Sequence, residues 1–236
     1  MRLKRFGKLR FLLTYPLVAW LFLTAHTTER QLFIGAAIAL MGLAVRFWAN
    51  GYVGHVKVNS TQKWRGDVKI GHLITAGPYA FLRHPLYFGT LLIGLGFCVV
   101  AGQPILTLVA LAFFLIVYRR KMAEEEATLR DEWGEEFTRY ERSVPRWLPR
   151  WRRYTHPHGV WSWNGIVASK EPKTVAWVIV FLLILYFREE LVQERELYGA
   201  KHLVLLAVMG LCMLSDGIFE VVRRWQKIKS FRRSVA

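Results

Sequence analysis

Six apolar runs, Phe11–Ala25, Leu32–Ala49, Leu86–Ala101, Ile105–Tyr118, Thr174–Phe187 and Leu203–Phe219, separated by basic stretches, constrain this chain more than anything else in it. A buried soluble core rarely needs so many apolar segments in 236 residues. Several runs are shorter than the roughly 20 residues that cross a bilayer unaided. Flanking Trp, Lys and Arg extend them by sitting at the interface. The link Ala101-Gly102-Gln103-Pro104 reads as a tight turn that pairs the third and fourth runs as a hairpin. The expected fold is all-α: a polytopic transmembrane helical bundle of about six spans, with a cytoplasmic amphipathic helix and an interfacial loop.

The placement of charge supports that layout. The chain carries a net charge of +16, yet only 21% of its residues are charged. If all six runs span, 29 of the 33 Lys and Arg fall on one side. Such a bias marks the cytoplasmic face, so both termini are expected there, in a multi-pass protein of a bacterial inner membrane. The apolar run after MRLKRFGKLR lacks a small-residue cleavage site and is read as a retained first segment rather than a signal peptide. The basic residues flank apolar helices and no nucleic-acid motif accompanies them, so anionic lipid headgroups are the expected partners, not nucleic acid. The organisation expected is a core over 1–150, a Trp- and Arg-rich interfacial loop over 151–171, and a C-terminal hairpin with a basic tail over 172–236. Within the loop region Pro145–Gly165, Trp147, Trp151, Trp161 and Trp163 fit an interfacial belt.

Cys98 and Cys212 lie in apolar runs and read as buried small side chains. No CxxC or His/Cys cluster suggests a metal, and His156 and His158 beside Pro157 do not make one. His26 and His55 read as interfacial or loop residues. Asp216, inside the last apolar run, lies near its cytoplasmic end, within reach of water.

Two segments are not membrane filler. The first runs from Gly71-His72-Leu73-Ile74 through Gly77-Pro78-Tyr79 to Arg83-His84-Pro85-Leu86-Tyr87. Gly77-Pro78 makes a turn, and Pro85 suits the first position of a helix. Arg83 and His84 then stand at a helix N-terminus, where free backbone N–H groups favour an anion. His84 and Tyr87 share a helical face. Read alone, the same residues also fit an interfacial belt. The second segment, Tyr118 to Val144, places Met122, Leu129, Trp133, Phe137, Tyr140 and Val144 on one stripe, as an amphipathic helix leaving the fourth run. Lys121 and Glu125 share a face of it; alone they are an ordinary pair worth a few tenths of a kcal/mol. A hairpin brings its two ends to one membrane face, so Arg83, His84, Tyr87, Lys121 and Glu125 are expected to converge there. Cationic donors beside carboxylates suit a ligand that carries both charges; spacing alone does not identify it.

GPYAFLRHPLYFG, followed by KMAEEEATL, WGEEFTRY and VPRWLP, resembles the isoprenylcysteine carboxyl methyltransferase family and its bacterial and archaeal relatives. The likeness covers about Gly71 to Pro149, with a weaker match over Arg46–Tyr52. It implies S-adenosylmethionine as cofactor, held by Gly71, His72, Leu73, Ile74, Tyr79, His84, Pro85, Leu86, Tyr87, Glu125 and Glu126. It implies that the residue matching Lys121 handles the acceptor; neighbouring Arg119 is the alternative for that role, and Arg83 is the third residue expected in the chemistry. The eukaryotic position is Arg, and Lys cannot make the planar two-point grip on a carboxylate. The expected acceptor is an isoprenoid or other amphiphilic carboxylate. Rival readings are a phospholipid N-methyltransferase, a thiol S-methyltransferase, an NADPH-dependent sterol-type reductase and a non-enzymatic lipid-binding membrane protein.

Overall fold

A computed structural model describes residues 16–18, 20–21, 23–53, 73–169 and 171–194, with the isolated positions 207, 210–211, 214, 217–218 and 221. Every regular element among them is helical: α1 (Glu29–Val53), a 3-10 turn (Gly77–Ala80), α2 (Pro85–Val100), α3 (Pro104–Ser143), α4 (Trp163–Ala168) and α5 (Glu171–Glu194). The all-α expectation holds for these residues. Among the described residues one helix, α1, is long and apolar enough to cross a membrane, and α2 is a shorter apolar helix. The first expected span is described in part and the last only at isolated positions.

Local chemistry sets the helix starts. Thr28 and Gln31 cap α1 reciprocally: the Gln31 amide donates to the Thr28 hydroxyl at 3.3 Å, and the Thr28 amide donates to Gln31 Oε1 at 3.0 Å. Proline opens both α2 and α3, where its missing N–H costs nothing. The expected turn at Ala101–Gln103 joins them, with Gly102 at φ 66°.

α1 and α2 approach to backbone contact. A Cβ added at Gly35 would lie 2.5 Å from the Gly96 carbonyl oxygen, and one at Gly42 would lie 2.6 Å from that of Gly89. Small residues on both helices permit the approach, the usual device where lipid removes the hydrophobic drive for helix pairing. α5 closes this pair. Val178 joins Ala39, Leu43 and Ile93, while Leu185 joins Leu21, Cys98, Val100 and Leu106. Phe33, Ile34, Leu40 and Met41 point outward from α1, as lipid-facing residues do.

The amphipathic helix expected after the fourth apolar run is continuous with that run in α3, apart from one break. Gly134 sits at φ 49° and ψ −119°, a conformation that admits little but glycine. The break turns the last part of α3 back so that Phe137, Tyr140 and Val144 pack with Leu73, Ala80 and Tyr154. Leu129 and Trp133, before the break, pack against the same cluster, so the expected single stripe closes on itself across Gly134 instead of running along one continuous helix; Met122 is buried outside this cluster. The loop expected over Pro145–Gly165 is irregular to Ser162, after which α4 begins. It is knitted to the chain before α2. The Arg83 amide donates to the Pro145 carbonyl, the Arg150 amide to Phe81, the Tyr154 amide to Ala80, and the Thr75 and Ala76 amides to His158. The end of α1, the start of α2, the middle of α3 and the start of α5 therefore meet at one end of the bundle.

Candidate active site

At that end, Pro85 starts α2 directly after Arg83 and His84. Both side chains turn toward α3. His84 Nε2 lies 3.0 Å from Glu126 Oε1 and its Nδ1 lies 3.9 Å from Glu125 Oε2. The imidazole is therefore held between neighbouring carboxylates. This is the convergence expected of the two ends of a hairpin.

The two glutamates do different work. Glu126 is buried and ionically saturated. Its carboxylate is approached by Arg83 Nη1 at 2.9 Å, accepts from Arg146 Nε at 3.0 Å, and makes a second hydrogen bond with Arg146 Nη2. Arg83 also donates to Glu141 at 2.8 Å, and Glu141 accepts from Arg130 at 2.6 Å. Burial pushes the Glu126 carboxyl up, but hydrogen bonds from His84 and Arg146 and the Arg83 charge outweigh it, bringing it down to about 2. Burial also pushes Glu141 up, and its bonds to Arg130 and Arg83 more than reverse that. Arg83 and Glu126 thus brace the site: Arg83 directs Nη1 to Glu126 and Glu141, while its buried Nε meets no hydrogen-bond partner among the described residues.

A pH consequence follows. Glu126 is ordinarily near 4.5 and is lowered to about 2 in the fold. A lowered carboxyl stabilises the fold fully above its unfolded value and loses that contribution as pH falls through the folded one. Acid unfolding is therefore expected to draw on Glu126 between about pH 4.5 and 2. Comparing melting temperature against pH for wild type and Glu126→Gln checks this. The difference between the two should be constant above that window and shrink within it; equal slopes throughout would contradict it.

Glu125 is only partly buried and faces a different set. It accepts from the Tyr87 hydroxyl at 2.5 Å and lies 4.0 Å from Lys121 Nζ. Lys121 also stands over the Tyr87 ring, 5.3 Å from its centroid. Tyr118 packs on Tyr87 at 5.0 Å and stacks on Phe114 at 4.2 Å, extending the aromatic surface along α3 toward the apolar part of the helix. A carboxylate, an ammonium group and an aromatic wall thus face one region. Arg119 is exposed on α3, and the helical spacing brings Lys121 rather than Arg119 to Glu125.

Of the other residues implied for the cofactor, Leu73 is buried and Ile74 half-buried beside Gly159. Tyr79 sits in the 3-10 turn, where its carbonyl accepts from the Tyr140 hydroxyl at 2.7 Å. Burial pushes the Tyr79 phenol far above its ordinary range, so it remains a hydrogen-bond donor at any working pH. Pro85 and Leu86 form the first turn of α2, where His84 as N-cap makes no side-chain cap. Gly71 and His72 lie outside the described residues. Spacing alone missed Glu141, Arg130 and Arg146 as partners of this site. Arg146 lay within the quoted VPRWLP motif, and its ion pair depends on the fold-back at Gly134, which no periodicity reveals.

Residues 30–136 match the phospholipid methyltransferase family. The chain is 36% identical over 106 residues to protein-S-isoprenylcysteine O-methyltransferase of Mus musculus, covering 45% of this chain and 35% of that protein. To the protein of the same name from Homo sapiens it is 35% identical over 109 residues, again 45% and 35% of the two chains. To the cobalt-zinc-cadmium resistance protein CzcN of Cupriavidus metallidurans it is 29% identical over 136 residues, covering 58% of this chain and 54% of that protein. The alignments span about half or less of each of these relatives. No solved structure matches. The family resemblance carried by the sequence motifs is borne out by these matches.

Proposed function

We propose that this chain, a relative of the phospholipid and isoprenylcysteine methyltransferases, is an integral membrane enzyme that transfers a methyl group from S-adenosylmethionine to an amphiphilic acceptor at the cytoplasmic face. The observation that carries the reading is the meeting of His84, Tyr87, Lys121 and Glu125 at one end of the α2–α3 hairpin, within the stretch matched to the family. These residues fit the cofactor by the chemistry of their donors. A carboxylate suits an amino group or a ribose, and uncapped backbone N–H groups at the start of α2 suit a carboxylate.

Bound there, S-adenosylmethionine supplies an electrophilic methyl group on a sulfonium, open to in-line displacement. The chain's own part is alignment and exclusion of water. Glu125, fixed by Tyr87, orients the cofactor's cationic or hydroxyl groups. Lys121, beside Glu125 and over the Tyr87 ring, holds an anionic acceptor with its oxygen toward the methyl. A carboxylate acceptor is already ionised near neutral pH and needs no base; an amine or thiol must first lose a proton. Tyr118 and Phe114 offer an apolar surface to the acceptor's tail on its way from the lipid.

A phospholipid amine is the second reading, favoured by the match to the phospholipid methyltransferase family. Detergent-purified protein is expected to bind labelled S-adenosylmethionine, with roughly tenfold loss in Glu125→Ala, a charge-assisted contact being worth about 1.5–3 kcal/mol. Binding of NADPH in its place would sink the proposal in favour of a reductase. Mass spectrometry of lipids incubated with methyl-labelled cofactor identifies the acceptor.

A further inference from the structure

Arg46 and Glu171 form an ion pair that the proposed chemistry does not use. They join the end of α1 to the start of α5. Arg46 Nε donates to Glu171 Oε2 at 3.0 Å and Nη2 to Oε1 at 2.5 Å, the two-point fork that only arginine makes. The remaining arm, Nη1, reaches the first turn of α2, donating to the Leu86 carbonyl at 3.2 Å and to the Thr90 hydroxyl at 2.5 Å. Glu171 is itself buried and pinned: its amide donates to the Ser169 hydroxyl at 3.1 Å. The guanidinium therefore has one face committed to α5 and the other to the turn that carries Tyr87. Leu86 and Thr90 flank Tyr87 in that first turn, and Tyr87 donates to Glu125, so the pair lies at the edge of the site.

Position in the chain gives the pair its meaning. Arg46 and the α2 turn lie inside the family-matched residues 30–136, and Glu171 lies outside them. An arginine near the end of an apolar helix is costly without a partner, and its partner here is the first residue of α5. We infer that the start of α5 is a working part of the site: Glu171 aims Arg46 at the Leu86–Thr90 turn and so sets the position of Tyr87 opposite Glu125. Glu171 and Arg46 are positioning residues acting through that turn. The link to cofactor affinity rests on the proposed function; the mechanical coupling does not.

The test uses the full chain in detergent, with Glu171→Gln, Arg46→Lys, and Val178→Ala as a control that loosens α5 packing without touching Arg46. Hydrogen exchange of the Tyr87–Thr90 amides and S-adenosylmethionine affinity are measured beside the melting temperature. In Glu171→Gln and Arg46→Lys, exchange in this turn should rise at least tenfold and affinity should fall at least tenfold. In Val178→Ala both should stay within about threefold for a comparable melting loss. Arg46→Lys keeps the charge balance but gives up both the fork to Glu171 and the separate Nη1 arm to Leu86 and Thr90, so it serves if Glu171→Gln fails to fold. Unchanged exchange in the turn, or equal effects in Val178→Ala, would overturn the inference. Raised exchange in a protein whose wild type binds no S-adenosylmethionine would leave the coupling standing and remove the methyltransferase reading.

Discussion

Glu126→Ala is expected to lower the melting temperature of the purified protein by roughly 10 °C. The carboxylate is 2% exposed and meets Arg83, Arg146 and His84. Removing it takes from Arg146 its carboxylate partner and leaves the buried Arg83 with Glu141 alone. Breaking a buried pair from one side costs about 3–5 kcal/mol, because the surviving charge keeps its desolvation penalty. At about 2–4 °C per kcal/mol for a chain of this size, that gives the expected shift. Glu126 also joins three separated parts of the chain: the corner before α2, the middle of α3 and the loop after it. Losing it should therefore loosen the α2 corner as well as the global fold. Glu124→Ala is the control. Glu124 is 48% exposed at its side chain and pairs with Arg120 along the helix surface. Such a pair contributes well under 1 kcal/mol, so the control should melt close to wild type. Equal melting of the two variants would show that the buried ionic cluster contributes little.

The difference between these two glutamates, two positions apart, shows where legibility in the sequence stops. Helical period alone put Lys121 with Glu125 and His84 with Tyr87, and the tight turn before Pro104 implied that the two pairs would meet. All of that depends on local geometry, and the structure follows it. The division of labour between Glu125 and Glu126 depends instead on what comes back to meet them. Arg146 reaches Glu126 only because Gly134 reverses the chain, and Glu141 reaches Arg83 for the same reason. A lone glycine in a charged helical stretch gives no periodic signal. Arg46 and Glu171 are 125 positions apart, and no spacing rule links them. Motif resemblance found the segments, while the direction of each side chain required the fold.

Lys121 is the residue whose replacement should say most about the acceptor, because the sign of the effect depends on the acceptor's charge. For a carboxylate acceptor, Lys121→Ala removes the cation that holds the reacting oxygen. A charge-assisted contact of about 1.5–3 kcal/mol corresponds to roughly a 10- to 100-fold fall in kcat/KM. Affinity for S-adenosylmethionine should stay within about threefold, since Glu125 keeps its Tyr87 hydroxyl when the 4.0 Å lysine contact is lost. Lys121→Arg should recover most of the rate, because a guanidinium offers a carboxylate two parallel donors where an ammonium offers a point charge. For an amine acceptor the order reverses. A fixed cation beside an ammonium headgroup repels it, so Lys121→Ala should raise kcat/KM and Lys121→Arg should leave it low. Steady-state rates of both variants, with an amphiphilic carboxylate and with a phospholipid amine, separate the two cases. Rates unaffected by either substitution, with either acceptor, would place the acceptor's reacting end away from Lys121 and outside the space bounded by Tyr87 and Glu125.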